Sequence, residues 1–182
     1  GVNWAKGNLQ YANGAWRIAP QPWHTFQGQV SNGQNEYFSW GDPAPTLYTD
    51  THTNFDDYVT NFGGNPALDA ATAGLGSPWA TPDLDDLRAL EASASAQHVI
   101  LEDAEGGPVE GMLLWPAEGN RRIKSGTAVY ASTAIVEQSR GIFLPFGGYY
   151  DARYGSIYSE QGYYMSCVRY DRVYDGFPWY LA

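Results

Sequence analysis

The sequence predicts an α+β domain, with one clear helix set among many short strands and long loops between them. Three observations carry that expectation. An Asn-Gly pair lies between two alternating runs near the start, a capped run of spaced leucines follows Thr81, and two apolar runs flank Glu105-Gly106-Gly107-Pro108 directly afterwards.

In chain order, the first element is a hairpin over residues 8–19. Leu9 and Tyr11 precede Asn13-Gly14, Trp16 and Ile18 follow it, and both turn residues tolerate the positive φ of a type I′ turn. From about residue 20 to 79 the chain is rich in Gly, Asn, Asp, Pro and Thr, with isolated aromatics and no sustained period. A loop of that length is expected to be pinned by its own aromatics, with a second helix near 54–61. Thr81-Pro82-Asp83 predicts a helix start, with the hydroxyl as cap and Pro at the first helical position. Asp83, Asp85 and Asp86 favour the positive end of its dipole. Leu84, Leu87, Leu90 and Ala94 form its buried stripe. Strands are expected at 98–101 and 109–115, joined by the Gly-Gly turn, and then at 127–130, 141–146, 162–168 and 177–181. No internal repeat or linker divides the chain, so residues 1–182 are expected to form a single domain.

Composition narrows the function classes. Lys and Arg number 10 against 20 Asp and Glu, a net charge of −10, and charged residues make up 16% of the chain where about 25% is usual. This acidic balance lacks the basic field that phosphate binding requires, so nucleic acid is not an expected partner; Arg121, Arg122 and Lys124 form one short basic cluster. A single cysteine, Cys167, supports neither a disulfide scaffold nor a structural zinc site, and a buried, inert thiol is expected. No apolar run reaches the ~18 residues of a membrane span, and no basic segment followed by an apolar one opens the chain. Gly1 looks like the start of a trimmed chain, which would have lost any leader or upstream domain.

Catalytic patterns are weak. His24, His52 and His98 belong to no HExxH pattern, and Asp50, His52, Asp56 and Asp57 lack the spacing and turn glycine of an EF-hand, so a solvated loop and no metal are expected there. Residues 119–125 end in Lys-Ser but carry Ile123 where a phosphate loop needs glycine, and Gly74-x-Gly76 lacks the third glycine of a dinucleotide fingerprint. There is no G-x-S-x-G elbow. No cofactor and no enzymatic activity are expected.

The last third is rich in Tyr with interspersed Asp, Arg and Ser. Tyr offers large, rigid, amphipathic contact area at low entropy cost, and the polar residues adapt their hydrogen bonds, which is the composition of a binding surface. About half of these tyrosines are expected in the core or in strand pairs.

Several segments also match a known family in order. Val2-x-Trp4-x-Lys6-Gly7-Asn8-Leu9-x-Tyr11, then Gly14-x-Trp16-Arg17-x-Ala19-Pro20-x-x-Trp23 and Phe38-x-Trp40-Gly41, resemble the opening of bacterial surface proteins carrying the Fibrobacter major paralogous domain. Trp79-x-Thr81-Pro82 through Leu87, Gly111-Met112-Leu113-Leu114-Trp115-Pro116, Gly141-Ile142-Phe143-Leu144-Pro145-x-x-Gly148-Tyr149 and Gly162-Tyr163-Tyr164-Met165-Ser166 are similar to its later segments. The resemblance implies a C-type lectin-like fold: a small, twisted, mostly antiparallel sheet with one or two helices and long loops, within a longer exported protein. Met165 replaces the family's usual Trp, and relatives often add a final strand beyond the point where this chain ends at Ala182. The calcium-dependent sugar-binding motifs of lectins, Glu-Pro-Asn or Gln-Pro-Asp and Trp-Asn-Asp, are missing, as are the paired cysteines of formylglycine-generating enzymes and the histidine-rich iron site of sulfoxide synthases.

Together these readings imply an extracellular or outer-surface binding or adhesion domain. It is expected to recognise glycan, or a host or bacterial surface protein, through Tyr149, Tyr150, Asp151, Arg153, Tyr154, Tyr158, Tyr170 and Asp171. The alternatives are a structural module that assembles with fimbrial or other appendage subunits, and a hypervariable ligand-binding protein diversified by a retroelement.

Overall fold

The computed structural model describes residues 2–26, 33–38, 40–45, 61–151, 156–158, 162, 164–169 and 178–181. The first hairpin forms as expected: β1 (Leu9–Ala12) pairs antiparallel with β2 (Ala15–Ile18), and Asn13 and Gly14 turn with φ of 53° and 80°. A short β3 (Gln34–Asn35), inside the stretch expected to be loop, adds to the other side of β1.

Helix α1 (Ala70–Leu75) was not expected from periodicity. The side chain of Asp69 caps it, accepting from the Ala71 amide at 3.0 Å. It packs tightly on β2: a Cβ on Gly74 would lie 2.4 Å from the Trp16 indole, so only glycine permits this approach. The helix expected at 54–61 falls almost wholly outside the described residues, apart from Asn61, which forms an isolated bridge.

Helix α2 (Leu84–Ser93) corrects the expected boundary. Its cap is Asp83 rather than Thr81, because Asp83 and Asp86 each accept the other's backbone amide, at 2.8 and 3.2 Å, in a reciprocal capping box. Pro82 therefore precedes the cap, and Thr81 serves elsewhere. Leu87 is buried while Leu84 and Leu90 are partly so. Ala94, expected on the helical stripe, is the C-cap and the first residue of the next strand.

The central sheet has the order β6-β4-β5-β7, built from β4 (Ala94–Leu101), β5 (Val109–Pro116), β6 (Lys124–Ala131) and β7 (Ile142–Pro145). The β4–β5 hairpin runs unbroken from Ala94↔Pro116 to Leu101↔Val109, while β6 runs parallel to β4. On one face, Val99, Leu101, Val109, Leu113 and Phe143 pack with Val136 of α3 (Ala134–Gln138) and with Trp23. Burial of a side chain like Phe143, 2% exposed, contributes about 2–3 kcal/mol. On the other face, Ala94, Ala96 and Leu114 meet Leu90 of α2, beside Met112, Ile142 and Leu144.

Two further ribbons complete the α+β architecture. β8 (Tyr149–Asp151) pairs antiparallel with β9 (Ser156–Tyr158), and β10 (Tyr164–Arg169) pairs antiparallel with β11 (Pro178–Leu181), with an irregularity between Met165 and Arg169. Among the described residues no helix is long and apolar enough to cross a membrane.

Candidate functional site at the end of β7

The Tyr-rich ribbon grows out of a fixed corner. After β7 the chain turns tightly, with the Phe146 amide donating to the Glu110 carbonyl at 2.8 Å and the Gly147 amide to the Pro145 carbonyl at 2.8 Å. Two phenols secure this turn from different parts of the chain. Tyr37, following β3, donates its hydroxyl to the Gly147 carbonyl at 2.5 Å, and Tyr164, on β10, donates to the Pro145 carbonyl at 2.7 Å. Asn8 in turn donates to the Tyr164 hydroxyl at 3.4 Å. Burial, with the Glu36 carboxylate as a lesser cause, pushes the Tyr37 phenol up to about 12, and burial raises Tyr164 as well. Both phenols therefore stay protonated and able to donate at neutral pH. A parallel bridge between Gly148 and Gly162 closes the base.

From that base the β8–β9 ribbon sets Tyr149 opposite Tyr158, Tyr150 opposite Ile157 and Asp151 opposite Ser156. Of the eight expected site residues, Tyr149, Tyr150, Asp151 and Tyr158 lie on this ribbon, where Tyr149 and Tyr158 are register partners. Arg153, Tyr154, Tyr170 and Asp171 lie outside the described residues, as do Asp50, His52, Asp56 and Asp57. Cys167 falls within β10.

A second polar cluster, not anticipated as a unit, adjoins this corner. His98 of β4 has its Nε2 2.6 Å from Glu110 Oε1 and its Nδ1 3.1 Å from the Gly126 carbonyl, and its ring lies 5.1 Å from that of Phe146. The neighbouring Gln97 donates to the Thr127 carbonyl at 2.6 Å. The reason lies in the β4–β6 ladder, whose register slips between Gln97 and Val99, so that β6 carries extra residues there. The slip leaves the Gly126 and Thr127 carbonyls without ladder partners, and these two side chains meet them. Both ring nitrogens of His98 face oxygen atoms. The signal was present in the sequence as hairpin arithmetic: an unbroken β4–β5 register sets His98 opposite Met112, one diagonal step from Glu110.

Among the described residues no three His, Cys, Asp or Glu side chains group in a way that could hold a metal ion. Compared with protein-family models, with curated proteins and with solved structures, the chain matches none.

Proposed function

We propose that this chain is a non-enzymatic binding or adhesion domain of C-type lectin-like fold, displayed on a cell surface or secreted, which recognises glycan or protein through its Tyr-rich late segment. The observation that supports the reading is the cross-strand pairing of Tyr149 with Tyr158 on a ribbon whose base is held by the Tyr37 and Tyr164 hydroxyls. Aromatic rings presented by a ribbon suit stacking against sugar rings or apolar protein surface. Asp151, Arg153 and Asp171 supply the charges that orient the ligand. The test is binding to a mixed glycan and surface-protein array, with calcium and again with chelator, using the native chain and a triple variant with alanine at Tyr150, Tyr154 and Tyr158. Binding that survives chelation and is lost in a folded triple variant supports the assignment. Binding unchanged by the triple substitution refutes it, and binding lost on chelation points to the acidic residues between 50 and 57 instead.

A further inference from the structure

Strand β6 is the outer strand of the central sheet, and no described strand pairs with its free side. Of the five large hydrophobic side chains exposed among the described residues, three lie on it or just before it: Ile123 at 47%, Val129 at 40% and Tyr130 at 69%. The Ile123 and Ala131 carbonyls face β4, accepting from Ala96 at 2.6 Å and Glu102 at 3.0 Å. Alternation then turns the peptide groups of Lys124 and Tyr130 outward, where they can bond another strand. A bulge is a common protection of such edges. Here its Gly126 and Thr127 carbonyls are occupied by His98 and Gln97, and the segment after it, 128–131, is apolar and pairs regularly with β4.

Charge along this edge is polarised. Arg121, Arg122 and Lys124 mark its beginning, three of only ten Lys and Arg residues in the chain. Beside its end, on the chain leaving β4, stand exposed carboxylates: Glu102, whose amide bonds the Ala131 carbonyl, and Asp103, which accepts from the Ser132 hydroxyl at 2.7 Å and the Thr133 amide at 2.6 Å. A strand laid antiparallel across a two-fold axis reverses this order and sets the basic end of each copy along the acidic end of the other; a parallel arrangement would oppose like charges.

We propose that β6 is a self-association edge, pairing antiparallel with β6 of a second copy to join the two central sheets, with Tyr130 at the seam and Arg121 facing Glu102 across it. The inference is independent of the ligand reading. An edge pair buries less than a full-sized interface, so the association is expected to be weak, in the micromolar range or above.

Sedimentation velocity over a concentration series tests it. The native chain should pass from monomer to dimer, and Tyr130→Lys, which places a charge at the seam, should remain monomeric. Arg121→Glu and Glu102→Arg, both at exposed positions, should each weaken dimerisation roughly three- to thirty-fold, since every contact occurs twice. Mixing those two variants should restore it, because their charges are again complementary in the heterodimer. A chain monomeric throughout the series, a dimer indifferent to Tyr130→Lys, or a mixture that associates no better than either variant alone would overturn the proposal.

Discussion

Asp69 offers the sharpest test of how the long loop before α2 is held. Its side chain is 0% exposed, and five donors lie within hydrogen-bond distance of its two oxygens: the Ala71 amide and Thr81 hydroxyl at Oδ1, and at Oδ2 the Gly64 and Thr81 amides and the Thr72 hydroxyl, whose one proton is shared with the Trp79 carbonyl. In Asp69→Ala, the Thr72 hydroxyl keeps its bond to the Trp79 carbonyl at 2.7 Å, and the Thr81 hydroxyl can rotate. The three backbone amides have no such recourse. At about 1 kcal/mol each, the low end for partly buried donors, the loss is about 3 kcal/mol. With a urea m-value of about 2 kcal/mol/M, the unfolding midpoint should fall by about 1.5 M. Asp69→Asn separates this account from ordinary capping. At a simple N-cap Asn and Asp are nearly equivalent. Here either orientation of the amide points an N–H group at a backbone N–H, so Asn should lose about 2 kcal/mol. A midpoint for Asp69→Asn within about 0.5 kcal/mol of the native chain, or a loss below about 1 kcal/mol for alanine, would refute the reasoning.

Two predictions concern pH. Asp103 caps the start of α3 from the β4–β5 turn, and hydrogen bonds from Ser132, then Thr133, hold its carboxyl below the usual carboxylate value. A depressed folded value means that its stabilisation is present above about pH 3.9 and fades as pH falls further, so the stability gap between the native chain and Asp103→Asn should close in acid urea titrations. Tyr37 shows the opposite sign. Its phenol is raised from 10.0 to about 12, so the unfolded chain ionises first and the native protein should lose stability as pH climbs through that window, whereas Tyr37→Phe should lose less. At neutral pH, Tyr37→Phe should cost roughly 1 kcal/mol by thermal or urea melting, through the Gly147 carbonyl it leaves unpaired.

Sequence reasoning succeeded where local chemistry decides the structure. Asn13-Gly14 specifies its hairpin because two successive positive φ angles are cheap for those residues, and the β4–β5 pair follows from apolar runs around a glycine turn. It failed where a distant partner decides. Thr81 has the chemistry of a helix cap, yet Asp69, twelve residues earlier, claims both its amide and its hydroxyl, and the cap passes to Asp83. α1 and α3 are too short for periodicity to register, and β3 consists of two residues recruited by β1. The ribbon pairing of Tyr149 with Tyr158 was hidden because residues 149–158 carry no apolar alternation to announce strands, whereas the strands at 162–168 and 177–181 and the aromatic composition were legible.

The acidic excess acquires a structural meaning from these contacts. Glu36 accepts from the Thr25 hydroxyl at 2.5 Å, the Phe26 amide at 2.9 Å and the buried Gln10 side chain at 3.1 Å, tying the loop after β2 to the first sheet. Asp69, Asp83 and Asp103 each occupy backbone amides at helix starts, and at the opposite end of α2 the Glu91 and Ala92 carbonyls are met by Lys124 and Arg122 from across the fold. These carboxylates take up backbone donors that regular strands and helices would otherwise satisfy, in a chain whose connections are long. A net charge of −10 therefore says less about a charged ligand than its size suggests. The same economy explains the β7 corner: two phenols from distant segments complete two carbonyls, and the Tyr-rich ribbon leaves the sheet from a turn with little freedom to move. If the proposed binding face is built there, its base rests on residues outside it, so Tyr37→Phe or Tyr164→Phe should weaken ligand affinity in an array or titration even though neither residue belongs to the expected binding set.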